Sequence, residues 1–296
     1  MSNPNYSASR FGTFGQCLLK YKYTYIDDLV VFGREFAVQK KGTVFHKIAE
    51  DTQIGESYES VYKRAEELVS KEMTPEETER YPVMKAIPGF YFWWQTYVEP
   101  YVKDGYKLYK EQWEKGTIDG APLVGALDVC LVNEDKKQFR VYDYKSGSAA
   151  KLSDSYRNQL LLYVYMLSKK YDIPDNEIND RFECYLYYPL TNDIRSIDVN
   201  DIERIKQLTL KSTLRCVFTL NEYKETIKKF ESIVEETKSK DWSKLDMVKD
   251  GSMSYGCSYC PFCGHPRYCQ LTNKAGMTFP HSAKVMTKAE AKALKS

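Results

Sequence analysis

Between residues 106 and 145 the hydrophobic pattern changes period, and this constrains the fold more than any other feature. "YKLYKEQWE", "APLVGALDVCLV" and "QFRVYDYK" alternate with period two and read as three strands joined by short polar turns. After "SGS" comes a helix, "DSYRNQLLLYVYMLSKKY", and then another strand, "RFECYLYYPL". Upstream, "GTVFHKIAED" and "SYESVYKRAEELVSKE" repeat apolar residues every three or four positions, as amphipathic helices do. Strands mixed with helices in this way, with no second hydrophobic core and no internal repeat, imply one α/β domain with helical decoration.

The remaining segments are less regular. Ser7 or Ser9 can cap a short helix over 7–17, and "YKYTYIDDLVVF" reads as an extended aromatic stretch. A helical region over 82–104 contains "FYFWW", a candidate either for base stacking or for a helix–sheet core, and Pro88 and Pro100 are expected to bend or break it. Two charged helices are expected at about 199–213 and 221–238, then a loop-rich segment at 252–270. From 282 onward there are four Lys, one Glu and no aromatic residue, so 282–296 is expected to be a mobile Lys-rich tail.

Composition excludes some functions. The net charge of +2 makes no general case for nucleic acid, so any basic groove must be local. No apolar run is long enough to span a membrane, and "MSNPNYSASR" lacks the apolar core of a signal peptide. The expected location is the cytoplasm, with no membrane partner.

"VYDYKSG" places Asp143 and Lys145 two residues apart on one strand, so both side chains face the same way. They form either a strand-end ion pair or part of an active site. Asp128 lies on the preceding strand, and a hairpin would bring it to the same face as Asp143. Two carboxylates held close together need a cation between them, and oxygen donors with water suit Mg²⁺. Gln159 and Tyr163 share a face of the next helix at i, i+4 spacing. His46 lies on an earlier helix, either as a structural residue or as a ligand that would favour Mn²⁺.

Taken in order, these residues resemble the RecB-like branch of the PD-(D/E)XK nucleases. "SASRFGTFGQC" is similar to that family's opening helix, "GTVFH" to its Gly-x-x-x-His motif and "GALD" to Gly-x-x-Asp. "DYKSG" resembles its Asp/Glu-x-Lys core, and "QLLLY" its Gln-x-x-x-Tyr motif. The resemblance implies a restriction-endonuclease-like core, a central mixed sheet flanked by helices, with helical insertions and a C-terminal cysteine segment. It implies that His46, Asp128, Asp143 and the Tyr144 backbone carbonyl bind Mg²⁺ or Mn²⁺. It also implies that Asp128, Asp143, Lys145, Gln159 and Tyr163 are catalytic, with Gln159 and Tyr163 positioning the scissile strand.

Cysteine usage points to a second centre. Cys130, Cys184 and Cys216 sit among apolar residues and read as small core hydrophobes. "CSYCPFCGHPRYC" packs Cys257, Cys260, Cys263 and Cys269 into thirteen residues, which in a reducing compartment means metal before disulfide. Zinc could take these four, with His265 as a further donor. Iron–sulfur members of the resembled family, AddB and the CRISPR-associated enzymes, implicate instead Cys17 with Cys260, Cys263 and Cys269 around a [4Fe–4S] cluster. Cys257 is then the surplus thiol or an alternative ligand. In that arrangement residues 1–281 form one nuclease domain whose N-terminal helix and 252–270 segment close the cluster.

The function implied is a metal-dependent exonuclease that hydrolyses phosphodiesters, foremost in single-stranded DNA, in recombination, repair or phage and CRISPR DNA processing in a bacterial or phage-infected cell. No G-x-x-x-x-G-K-[ST] loop is present, so unwinding would fall to a separate helicase. The alternative is a DNA-binding end-processing subunit that works beside a helicase, recombinase or integrase.

Overall fold

The computed structural model describes residues 5–32, 37–196, 198, 200–245, 260–263, 265, 267–269 and 282–294. Helix α1 (Ala8–Gln16) begins at Ser7, whose hydroxyl accepts the Arg10 N–H at 3.2 Å. Cys17 ends α1 and opens α2 (Leu18–Tyr21), followed by a π-type turn over Lys22–Ile26 and a short strand β1 (Leu29–Phe32). The extended stretch expected from Tyr21 is therefore helical in its first half. The four-residue spacing of Tyr21 and Tyr25 lets their rings meet at 5.2 Å, a contact a strand would not offer.

Helices α3 (Ala37–Asp51) and α4 (Tyr58–Glu72) follow, then α5 (Pro75–Arg80), which is held by a Thr74–Glu77 capping box. Residues 87–103 divide into α6 (Ile87–Tyr97) and α7 (Glu99–Lys103). Pro88 and Pro100 sit in the first turns of these helices, where no intrahelical N–H is needed, so they start helices rather than break one. The three expected strands are β2 (Lys107–Ile118), β3 (Ala121–Asn133) and β4 (Gln138–Tyr144). Next come α8 (Asp154–Lys170), α9 (Ile178–Arg181), β5 (Phe182–Tyr187), α10 (Asn192–Arg195) and α11 (Ile202–Lys211). A strand with no counterpart in the sequence reading, β6 (Thr213–Cys216), precedes α12 (Leu220–Ser239).

The chain divides into two compact units, one of Met1–Phe36, Lys115–Val124 and Thr226–Ser296, the other of Ala37–Glu114 and Gly125–Glu225. In the second, a five-stranded sheet runs in the order β2-β3-β4-β5-β6. The β3/β4 and β5/β6 pairs are antiparallel and β4/β5 is parallel, so the sheet is mixed. A parallel pair cannot be joined by a hairpin, and α8 supplies the crossover. On one face of the sheet α6 buries Phe90, Trp93 and Trp94 against Tyr142, Tyr144, Tyr185 and Tyr187. Trp93 stacks on Tyr187 with centroids 4.8 Å apart. These three rings of "FYFWW" thus belong to the core, and truncating one costs about 3–5 kcal/mol. On the opposite face, Phe139 packs on Tyr171 just beyond α8. Cys130, Cys184 and Cys216 are buried in this unit, as small core hydrophobes.

In the first unit Phe11 of α1 stacks on Phe230 of α12 at 4.3 Å. The segment expected as a mobile tail differs from that reading: its described residues form β7 (Lys284–Thr287) and α13 (Lys288–Ala293). Strand β7 pairs antiparallel with β1, and Lys288 Nζ meets Asp28 Oδ1 at 2.8 Å. A second capping box, Thr287–Glu290, starts α13.

Candidate active site

The site residues expected from sequence gather at one end of the mixed sheet, held by α3, β3, β4 with the residue just after it, and α8. Val129 pairs with Tyr142, which sets Asp128 beside Asp143 across the β3–β4 ladder. The Tyr144 N–H donates to Asp128 Oδ2 at 2.6 Å, fixing that carboxylate from the backbone. Tyr144, whose carbonyl is the fourth expected ligand, also lays its ring edge-on against His46, with centroids 5.6 Å apart.

Two glycines give these elements room to approach. A Cβ on Gly125 would lie 2.9 Å from Tyr163 Cε1, so the β3 backbone can accept the α8 tyrosine only without a side chain. A Cβ on Gly42 would meet Ser146 Oγ at 3.2 Å, which couples the spacing of α3 to the loop just after Lys145.

Asp143 is 1% exposed, and its partners are Lys145 and Gln159. Lys145 Nζ forms an ion pair with Asp143 Oδ2 and donates to Gln159 Oε1 at 2.8 Å. Gln159 Nε2 donates to Asp143 Oδ1 at 2.9 Å and to Tyr163 Oη at 2.7 Å. One amide thus holds the acid, the lysine and the phenol of the motif together. Burial pushes Asp143 above the usual carboxylate range and the nearby Asp128 charge adds to this, while Lys145 and His46 oppose it. Burial, reinforced by the Asp143 charge, also pushes the Tyr163 phenol well up. Tyr156 covers the lysine from α8, its ring centroid 4.5 Å from Nζ.

The tightest set of donors includes a residue that the sequence did not mark. His46 Nδ1 lies 3.1 Å from Glu111 Oε1 and 3.4 Å from Asp128 Oδ1. Among the described residues this is the one trio of His, Cys or acidic side chains whose ligand atoms all lie within 4.8 Å of one another. Asp143 stands beside this trio, paired with Lys145. Burial alone would depress the His46 pKa. The hydrogen bonds and charges of Asp128 and Glu111 outweigh it and raise the pKa to about 10. Glu111 reaches this position from β2 through a left-handed backbone, φ +45°. The three consecutive polar residues Lys110–Glu111–Gln112 within an alternating strand were the sequence signal for that break.

A carboxylate pair with an imidazole is a donor set for a divalent cation, and the lysine on the neighbouring carboxylate places a positive charge beside it. The family model of the PD-(D/E)XK nuclease superfamily matches residues 5–270. The chain belongs to the PD-(D/E)XK nuclease superfamily. Members of that superfamily are generally nucleases that use divalent metals, and the His46–Glu111–Asp128 trio is a candidate site for such an ion. No curated protein matches the chain. Among solved structures, the "Crystal structure of SSO0001" aligns at 13% identity over 80% of this nuclease-superfamily chain and 96% of that one, with a TM-score of 0.32.

Four of the five cysteines expected to form a second centre lie among the described residues. Cys260, Cys263 and Cys269 are buried in one cluster with Leu19, Tyr23 and Phe262, and Cys17 packs against it. Cys17 Sγ accepts the Lys20 N–H at 3.4 Å. The Cys263 contact holds the Cys260 thiol below its ordinary range, and the same contact pushes Cys263 up. Tyr23 Oη donates to the Tyr268 carbonyl at 2.9 Å and ties the N-terminal segment to the cysteine loop. Cys257, the surplus thiol, lies outside the described residues. His265 Nδ1, a candidate zinc donor, accepts the Arg267 N–H at 3.1 Å. No helix among the described residues is long and apolar enough to cross a membrane.

Proposed function

We propose that this protein is a metal-dependent deoxyribonuclease of RecB-like exonuclease type that hydrolyses phosphodiester bonds, with single-stranded DNA as its first substrate class. The observation that carries the reading is the Lys145–Gln159–Asp143 linkage beside the His46–Glu111–Asp128 trio. The ordered motifs Gly42-x-x-x-His46, Gly125-x-x-Asp128, Asp143-x-Lys145 and Gln159-x-x-x-Tyr163 support the RecB-like branch.

Imidazole nitrogen with carboxylate oxygens is a donor set suited to Mg²⁺ or Mn²⁺, and His46, Glu111, Asp128 and Asp143 would hold the ion. Such an ion polarises the phosphoryl oxygen and lowers the pKa of a bound water. The protein's own groups do the rest. His46 Nδ1 keeps a proton between Glu111 and Asp128, and ligation at that atom requires its release. Lys145 carries a fixed positive charge to the reacting phosphate, where negative charge builds up. Gln159 keeps the lysine and Asp143 aligned, and Tyr163 completes the wall.

The reading includes a [4Fe–4S] cluster on Cys17, Cys260, Cys263 and Cys269, with a structural role. Zinc held by thiolates at 2.3 Å brings the sulfurs to within roughly 4 Å of one another. The Cys263 thiol contacts both Cys260 and Cys269, so the preference for iron–sulfur over zinc rests on the family resemblance and on Cys17. Unwinding, where the substrate is duplex, would come from a separate helicase, in recombination, repair or the processing of invading DNA.

The test is a time course on end-labelled single- and double-stranded DNA with Mg²⁺, Mn²⁺ or EDTA. Metal-dependent release of short products from the single strand is expected, and none with Lys145→Ala. Equal behaviour of wild type and Lys145→Ala overturns the reading.

A further inference from the structure

The Lys145 ammonium has three neighbours: the Asp143 carboxylate, the Gln159 amide oxygen and the ring of Tyr156, whose centroid lies 4.5 Å from Nζ. The lysine side chain is only 12% exposed, so these groups replace most of the water that an ammonium would otherwise bind. Its backbone is fixed as well. The Lys145 N–H donates to the Tyr187 carbonyl at 2.8 Å, carrying the β4–β5 pairing one residue past the end of β4. Tyr156 is the one neighbour that belongs to none of the motifs.

Helix spacing brings Tyr156 to the lysine. It precedes Gln159 by three residues and Tyr163 by seven, so the three lie along one face of α8. Ser153 caps that helix and accepts the Tyr156 N–H at 3.4 Å, which fixes the turn from which the ring projects. Tyr188, itself buried, packs edge-on against Tyr156 with centroids 6.5 Å apart. The Tyr188 hydroxyl donates to the Lys151 carbonyl, and a Cβ on Gly147 would lie 3.3 Å from Tyr188 Cε1. The loop between β4 and α8 therefore wraps on Tyr188, and Tyr188 braces Tyr156.

The neighbours act differently on the charge. A carboxylate holds an ammonium by neutralising it. An aromatic ring is neutral: its π-face attracts the cation through the ring quadrupole and leaves the net charge in place. A second acid at position 156 would hold Lys145 firmly but cancel the charge that a reacting phosphate needs. We propose that Tyr156 is a positioning residue for Lys145: its ring, braced by Tyr188, keeps the ammonium aimed at the reacting phosphate with its charge intact. This rests on the nuclease reading and adds to it a residue outside the four motifs. The hold resides in the ring face, so a phenyl group serves as well as a phenol, and an aliphatic side chain of similar size does not.

The experiment combines kinetics with a probe of the lysine itself. On end-labelled single-stranded DNA with Mg²⁺ or Mn²⁺, kcat is expected to fall about tenfold in Tyr156→Leu with KM nearly unchanged, and Tyr156→Phe is expected to restore it. In protein carrying ¹³C-labelled lysine, the Lys145 ε-methylene signal is assigned by its loss in Lys145→Ala. The ring current should shift it upfield in wild type and in Tyr156→Phe, and Tyr156→Leu should abolish that shift. Circular dichroism checks the fold of each variant, and Tyr156→Met stands in if Tyr156→Leu does not fold. A folded Tyr156→Leu protein with wild-type kcat, or a Tyr156→Phe protein as slow as Tyr156→Leu, overturns the positioning role alone. So does a Lys145 signal that Tyr156→Leu leaves in place. A wild-type protein that cuts no DNA overturns the positioning role together with the nuclease reading.

Discussion

The two candidate metal centres are built on opposite plans. The oxygen and imidazole donors stand on regular elements, α3, β2, β3 and β4, each oriented by a backbone or side-chain hydrogen bond. The thiols sit at the two ends of the chain, with Cys17 between two short helices and Cys260, Cys263 and Cys269 in a loop. The first plan holds charged groups that repel and attract at close range, so atom positions decide its chemistry. The second gathers soft donors among Leu19, Tyr23 and Phe262, and what it offers is closure of the chain.

The comparison breaks most visibly at Lys145. Replacing it with Ala should lower turnover by at least about a thousandfold, since one charge is removed from the reacting phosphate, with a smaller loss of stability because the buried Asp143 carboxylate loses its ion pair. A drop in stability of similar weight would show the lysine to be chiefly structural. Cys260→Ser should do the reverse. A broad absorbance near roughly 400 nm, the thiolate-to-iron region, disappears and stability falls by a few kcal/mol in a denaturant titration. Survival of that band in the variant would move the cluster off Cys260.

Glu111→Gln sharpens the first plan. Metal affinity, followed by isothermal titration, should fall at least about tenfold, while the far-ultraviolet spectrum keeps its shape. An unchanged affinity would reduce Glu111 to a partner of His46.

The smallest effect concerns a pair that serves neither centre. Burial works against the Glu56 charge, but hydrogen bonds from Arg64, Ser60 and the Gln53 N–H overcome it and bring its pKa to about 2. A carboxylate depressed in the folded state adds stability above its ordinary pKa of 4.5 and loses it as pH falls toward 2. Urea midpoints of wild type and Glu56→Gln should therefore differ near neutrality, by no more than about 1 kcal/mol, and converge on the acid side.

Much of the first plan was legible because its residues keep fixed spacings. Asp143 and Lys145 are two apart on a strand, Gln159 and Tyr163 four apart on a helix, and both spacings survive folding intact. Glu111 was not legible, because its role depends on one backbone torsion that breaks the alternation used to find it. Strand β6 escaped because four residues, two of them polar, carry too little pattern. The ordered end of the chain was overlooked for another reason. Lys-rich composition suggested solvent, yet the Thr-x-x-Glu capping signal at Thr287–Glu290 was present and is used. Tyr21–Ile26 misled in the opposite direction, since aromatic residues favour strands in general but here stack along a helical turn.

The pairing of β1 with β7 also sets a schedule for biosynthesis. Cys17 leaves the ribosome about 240 residues before Cys260 does, a delay of roughly 10–50 seconds at ordinary elongation rates. Through that interval β1 lacks its partner strand, while by its end all of Ala37–Glu225 has been made and can form its sheet. A nascent chain that stalls or is truncated before residue 284 would carry a finished nuclease sheet with an unpaired strand edge, the species that quality-control proteases and chaperones recognise.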